Sequence, residues 1–182
     1  VRIAEVYRQE GNYQAALKEF KQALKIQPND PVLLNNLGIT FASMNEYDEA
    51  VSTFQKLVTA HPDFEEGYFN LGNLYLETQR YEAAMDAYRA ALKVNPRCVE
   101  CYVNVGRLNE ATGKTQEAIQ SYEEALKINP SLGLAYNNLA VLYFKLGFYP
   151  QAVKQCDMAL RYGYRVHPDF RAKIDAVREM TP

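Results

Sequence analysis

The chain has little excess charge, few reactive side chains and no long apolar run, and each shortage removes a class of function. Lysine and arginine number 20 against 22 acidic residues in 182 positions, for a formal net charge of -2. A nucleic-acid surface needs concentrated Lys and Arg to displace counterions from phosphates, so no nucleic-acid partner is expected. No apolar segment approaches the roughly 18 residues of a membrane span, and no signal-peptide pattern is visible. Membrane insertion is therefore not expected. The compartment stays open, with a soluble, cytoplasmic setting favoured. Only two histidines occur, His61 and His167. Each precedes a proline, far from the other, as exposed loop histidines do. Three cysteines are too few for a disulfide framework. Cys98-Val99-Glu100-Cys101 is the one redox- or metal-like motif, and a zinc site would need two further ligands that no second pair supplies. Its thiols are read as structural or incidental, with a disulfide as the alternative. No catalytic residue, metal site or cofactor is expected, and the chain is not read as an enzyme.

What the sequence does contain is a period. Pro28, Pro62, Pro96 and Pro130 are spaced by 62−28, 96−62 and 130−96, each 34 residues. An alanine stands twelve residues before each (Ala16, Ala50, Ala84, Ala118), with Ala152 following in phase. An aromatic stands eight residues before each (Phe20, Phe54, Tyr88, Tyr122). Leu37-Gly38, Leu71-Gly72 and Val105-Gly106 repeat upstream, with Leu139-Ala140 as a variant. This pattern resembles the tetratricopeptide repeat family over nearly the whole chain. The resemblance implies an all-α fold: a right-handed α-α superhelix of tandem helical hairpins with a concave inner wall.

Each unit carries two apolar stretches of helical period, for example Leu33, Leu34, Leu37 and Phe41, then Val51, Phe54, Leu57 and Val58. A polar break such as Met44-Asn45-Glu46 separates them. The glycines mark a close helix approach, the alanines fill the facing contact, and the aromatics are expected in the wider gap to the next hairpin. The prolines end the second helices. Asp30, Asp63 and Ser131 are the expected N-caps, with Pro31 at a first helical position. Tyr13, Tyr47, Tyr81 and Tyr149 are read as inter-helix packing, and Cys156 as a core residue. One domain spans 1–182, with repeats at about 1–30 (incomplete), 31–64, 65–98, 99–132 and 133–166. The chain opens on Val1 as if inside a helix, so residues before it are expected to have been lost. Gly163 is the expected C-cap of the last hairpin. A capping helix at about 168–180 carries the apolar stripe Phe170, Ile174 and Val177.

In the resembled family the first helix of each repeat lines the inner wall. One residue type recurs there in phase: Asn36, Asn70, Asn104 and Asn138. A carboxamide offers both a donor and an acceptor, so a row of them can pair with the backbone of an extended peptide. Such a ladder is similar to the one in the repeat domain of O-linked N-acetylglucosamine transferases. The resemblance implies a protein-interaction scaffold that holds an extended protein or peptide partner. The competing reading is that these asparagines bond neighbouring helices and fix repeat geometry. Asn35, Asn73 and Asn137 join the candidate wall, with Ile39, Phe69, Val103 and Val141 as apolar contacts and Arg107 as its cation. Glu66, Glu77, Glu100 and Glu110 lend an acidic lean that favours ligands with Lys or Arg. Glu66 and Glu100 stand where a carboxylate clamp would need cations, which argues against binding of chaperone tails. Self-association into a homo-oligomer, or service as the regulatory arm of a larger enzyme, are the alternatives.

Overall fold

The computed structural model describes residues 2–180. Every regular element among them is an α-helix, in the order α1 (Arg2–Gln9), α2 (Tyr13–Ile26), α3 (Pro31–Ser43), α4 (Tyr47–Ala60), α5 (Glu65–Glu77), α6 (Tyr81–Val94), α7 (Val99–Ala111), α8 (Thr115–Ile128), α9 (Gly133–Lys145), α10 (Tyr149–Arg161) and α11 (Pro168–Met180). The fold class is the one expected, tandem helical hairpins followed by a single terminal helix. One domain is expected from the sequence; the chain's contacts fall into two compact units, Val1–Pro96 and Arg97–Pro182. In the first, α1–α2, α3–α4 and α5–α6 pair as hairpins, and α3 and α5 also pack on the second helix of the hairpin before. In the second, α7–α8 and α9–α10 pair, α9 packs on α8, and α11 packs on α10.

The hairpin turns obey a rule that the polar breaks only hinted at. Gly11, Asn45, Gln79, Gly113 and Gly147 all have positive φ, between 58° and 78°. They are spaced by 45−11, 79−45, 113−79 and 147−113, again 34 residues. Every hairpin therefore reverses through one left-handed residue. Glycine adopts that conformation without a Cβ clash, asparagine tolerates it, and glutamine does so at a cost.

The core is built on the glycine–aromatic pairs. A Cβ on Gly38 would lie 2.7 Å from the Phe54 ring, one on Gly72 2.7 Å from Tyr88, and one on Gly106 2.6 Å from Tyr122. Each aromatic thus lies on the glycine of its own hairpin. That corrects the expectation that it fills the gap to the next one. The missing side chain lets a full ring sit between two helix backbones, and all three rings are at most 1% exposed. Burying such a side chain stabilises by roughly 1.5–3 kcal/mol, more than the 0.5–1 kcal/mol that a mid-helix glycine costs. In the fifth hairpin both partners change together. Ala140 replaces the glycine, Cys156 replaces the ring, and both are buried in one cluster.

The helix ends agree with the sequence only in part. The Asp30 carboxylate accepts the Leu33 N–H at 2.8 Å, as an N-cap should. Asp63 and Ser131 do not cap: α5 and α9 begin one residue later, after Phe64 and Leu132, neither of which makes a side-chain cap bond. The Ser131 hydroxyl turns to Asn129 Oδ1 instead. Gly163 takes the left-handed conformation expected of a C-cap. On α11, Ile174 is buried and Phe170 and Val177 half-buried, which is the expected stripe. Arg178 reaches back from α11 to Asp157 on α10. Cys156 is buried and unpaired. Cys98 and Cys101 form a disulfide, which corrects the reading of them as incidental thiols. The α7 turn brings residues i and i+3 together on one side, and the Cys101 N–H also donates to Cys98 Sγ.

Candidate functional site

All twelve candidate residues lie on first helices: Asn35, Asn36 and Ile39 on α3, Phe69, Asn70 and Asn73 on α5, Val103, Asn104 and Arg107 on α7, and Asn137, Asn138 and Val141 on α9. Ten are half-buried, as side chains on the rim of a helix face are, and Arg107 is exposed. Val103 does not belong with them. It is 7% exposed and packed in a core cluster with Ile119, Tyr122 and Leu139. Its position on α7 points it between helices, so its candidate role as an apolar contact for a ligand is withdrawn.

In the first unit the asparagines bond across hairpins. Asn36 Nδ2 donates to Glu5 Oε1 at 3.2 Å, and Asn70 Nδ2 donates to Asn35 Oδ1 at 2.8 Å. These bonds join successive first helices, α1 to α3 and α3 to α5. Each uses one hydrogen of a carboxamide that has two donors and two acceptor lone pairs. Asn73 is engaged differently: its Oδ1 accepts the Tyr88 hydroxyl at 2.6 Å. Phe69 stacks at a tilt on Tyr88, with ring centroids 6.0 Å apart.

These residues border a cleft of about 380 Å³ lined by Ile39, Ser43, Asn45, Asn70, Asn73 and Glu77, among others. Three sequence candidates, Ile39, Asn70 and Asn73, meet in it, whereas Asn35, Asn36 and Phe69 lie outside its lining. Asn45, which lies in a turn, and the Tyr47 hydroxyl beside it were not legible as site residues in the sequence. The Tyr47 hydroxyl sits 3.0 Å from both Asn45 Oδ1 and Glu77 Oε1, so the half-buried side chain of α4 reaches two residues that line the cleft. Its hydrogen bond to Glu77 raises the phenol's pKa above the usual tyrosine value. The signal that could have found Asn45 is its place in the left-handed turn series, which puts its side chain beside the ends of two first helices.

In the second unit, Asn137 Nδ2 lies 3.5 Å from Asn138 Oδ1, a long and weak bond. Lys145 on α9 pairs with Glu110 on α7 at 2.8 Å. That pairing removes one carboxylate from the acidic lean read from the sequence. The Tyr122 hydroxyl is buried and makes no well-formed hydrogen bond, although Asn138 and Glu110 stand near it. Burial first, and then the Glu110 charge, push its pKa well above the usual value. Its counterpart Tyr88 is satisfied by Asn73. The residue in phase with Asn73 is Arg107, which has donors only and cannot accept the phenol proton. A second cleft, of about 440 Å³, lies between α9 and the segment leading into α11, and it takes in Asn137 and Val141.

Helical hairpins that repeat at a fixed period, with half-buried polar side chains along their first helices, define a protein-interaction repeat scaffold of the tetratricopeptide class. The chain belongs to the family of the tetratricopeptide repeat protein 21 C-terminal ARM domain, which matches residues 1–175. No curated protein matches it. Among solved structures, MamA is similar with a TM-score of 0.81 and 27% identity over 94% of this chain and 97% of that one. PilF of Pseudomonas aeruginosa has a TM-score of 0.80 and 22% identity over 90% of this chain and 75% of that one. YrrB, described as a TPR protein with an unusual peptide-binding site, has a TM-score of 0.72 and 18% identity, covering 90% and 84%. No helix among the described residues is long and apolar enough to cross a membrane.

Proposed function

We propose that the first helices bind extended peptide segments through their asparagines, Asn36 and Asn70 in the first unit and Asn104 and Asn138 in the second pairing to peptide backbone. The observation that carries this reading is the cleft of the first unit. There Asn70 brings a carboxamide whose Oδ1 makes no hydrogen bond to the described residues, next to an apolar contact from Ile39 and a carboxylate from Glu77. A peptide N–H can donate to that oxygen, an apolar side chain can cover Ile39, and a cationic side chain can reach Glu77. The same fold carries a peptide-binding site in YrrB. The bonds from Asn36 and Asn70 to neighbouring hairpins do not compete with this role, because each leaves acceptor capacity and a second N–H unused.

The test is a variant with Asn70→Ala and Asn104→Ala, titrated with peptides selected from a random dodecapeptide library on the unaltered chain. The expected result is an unchanged circular dichroism spectrum and an affinity at least tenfold lower. Equal affinity, or loss of the folded spectrum, sinks the ladder.

A further inference from the structure

The cleft beside α11 differs in chemistry from the cleft of the first unit. Its floor is apolar, formed by Val141 of α9, Val166 and Pro168 of the connecting segment, and Phe170 of α11. Its polar lining includes Arg165 and His167, and no acidic side chain lines it. Arg165 is exposed and makes no ion pair with the described residues. Lys145 and Arg178 of the same unit, by contrast, are held by Glu110 and by Asp157 and Asp175. The backbone N–H of Asp169 donates to His167 Nδ1 at 3.3 Å, which leaves Nε2 as the protonated nitrogen of a neutral ring. The Asp169 carboxylate, itself exposed and outside the cleft lining, also approaches Nδ1, at 3.7 Å. His167 is therefore a donor at Nε2, and Arg165 a donor and a full positive charge.

The surroundings hold this lining in place. Val166 is 5% exposed and Ile174 1% exposed in a core cluster against which Phe170 and Tyr164 pack. The Phe144 and Phe170 rings meet edge-on with centroids 5.7 Å apart. The segment between α10 and α11 is thus anchored at Val166, directly between Arg165 and His167. A cleft of this volume is within the roughly 300–1,000 Å³ of ligand sites that pair an apolar floor with a few fixed polar groups.

We propose that this cleft is a second peptide site, taking a segment in which a bulky apolar side chain stands next to Asp or Glu. The apolar side chain covers Val141, Pro168 and Phe170. The carboxylate takes the Arg165 guanidinium, in the bidentate geometry that arginine offers, with His167 Nε2–H and the Asn137 amide as neutral donors beside it. This is the opposite preference to that of the Glu77 cleft, so the chain reads two differently charged segments. The inference rests on the peptide-binding reading for the class of its ligand, but on different residues.

The experiment is selection of random dodecapeptides displayed on phage, run against the unaltered chain and three variants: Arg165→Glu, Arg165→Lys and Asn36→Ala with Asn70→Ala. The chain is expected to select a group of peptides with an apolar residue within two positions of Asp or Glu. Titrated singly, these should bind Arg165→Glu at least tenfold more weakly, retain binding to Arg165→Lys, and bind the asparagine variant unchanged. Absence of an acidic-apolar group, or equal binding to Arg165→Glu, overturns this proposal. Loss of binding in the asparagine variant alone would uphold the ladder and reject the second site. Circular dichroism on each variant guards against misfolding, and the exposed position of Arg165 makes its replacement compatible with the fold.

Discussion

A methyl group on Gly106 would lie 2.6 Å from Cε1 of Tyr122, inside any real carbon–carbon contact. The ring is fully buried and held between two helix backbones, so it has no room to retreat. Gly106→Ala is expected to destabilise the chain by about 1–3 kcal/mol, the usual cost of overpacking. The fifth hairpin, with Ala140 and Cys156, shows the alternative pairing. Combining Gly106→Ala with Tyr122→Cys should therefore cost at least ~1 kcal/mol less than the sum of the single changes. Urea denaturation of the four proteins measures this, and strict additivity would contradict the glycine–ring account.

Gln79 occupies the left-handed turn position that glycine fills at 11, 113 and 147. A side chain with a Cβ costs roughly 1–2 kcal/mol in that conformation. Gln79→Gly should raise stability by about 1 kcal/mol despite the greater entropy of the unfolded glycine. Gly113→Ala should lower it by a similar amount. Thermal melting of both variants decides the matter, and a loss on Gln79→Gly would show that the Gln79 side chain makes a contact worth more than the strain.

The disulfide assigns the three cysteines unequal reactivity. Without reductant, thiol titration in urea should detect one thiol, Cys156. In the native protein that thiol should react slowly, because burial and the nearby Asp157 raise its pKa and only the thiolate is nucleophilic. After reduction, three thiols should appear in urea. Three before reduction would show that Cys98 and Cys101 do not pair.

Tyr122 predicts an alkaline limit to stability. Its folded pKa is raised, so the fold favours the neutral phenol. That contribution is fully present below the unfolded tyrosine pKa of about 10, and is lost as pH rises from there through the folded value. Stability measured by urea at pH 9 to 11.5 should fall, and Tyr122→Phe should make the fall shallower. At pH 7 the same change should be neutral or stabilising, because it removes a buried hydroxyl without a hydrogen-bond partner. A loss of more than about 1 kcal/mol at pH 7 would mean that Asn138 or Glu110 bonds the phenol in solution.

The repeat, its helices and most of its core were legible because they follow from local period. Alanines and aromatics at fixed offsets return to the same side of each helix, and Asp30 with Pro31 specifies a helix start. The failures share a different cause. Asp63 and Ser131 are good cap residues by type, yet the chain enters α5 and α9 one residue later, and capping depends on that single residue of register. Val103 has the phase of a groove residue, but on α7 it turns into the core beside Ile119 and Leu139. Tyr47 shares its phase with three other tyrosines, but its bond to the Glu77 carboxylate joins two hairpins.

The sequence by itself determined a 34-residue period, two helices per period, and the placing of small residues where helices meet. These need only the geometry of one helix and the sterics of glycine and proline. Tertiary structure decided which ring fills which glycine, which asparagine bonds which hairpin, and that Arg165 and His167 share a cleft with Val141. Those relationships join residues up to 35 positions apart, and their distances are set by how helices stack, a quantity that no single helix encodes.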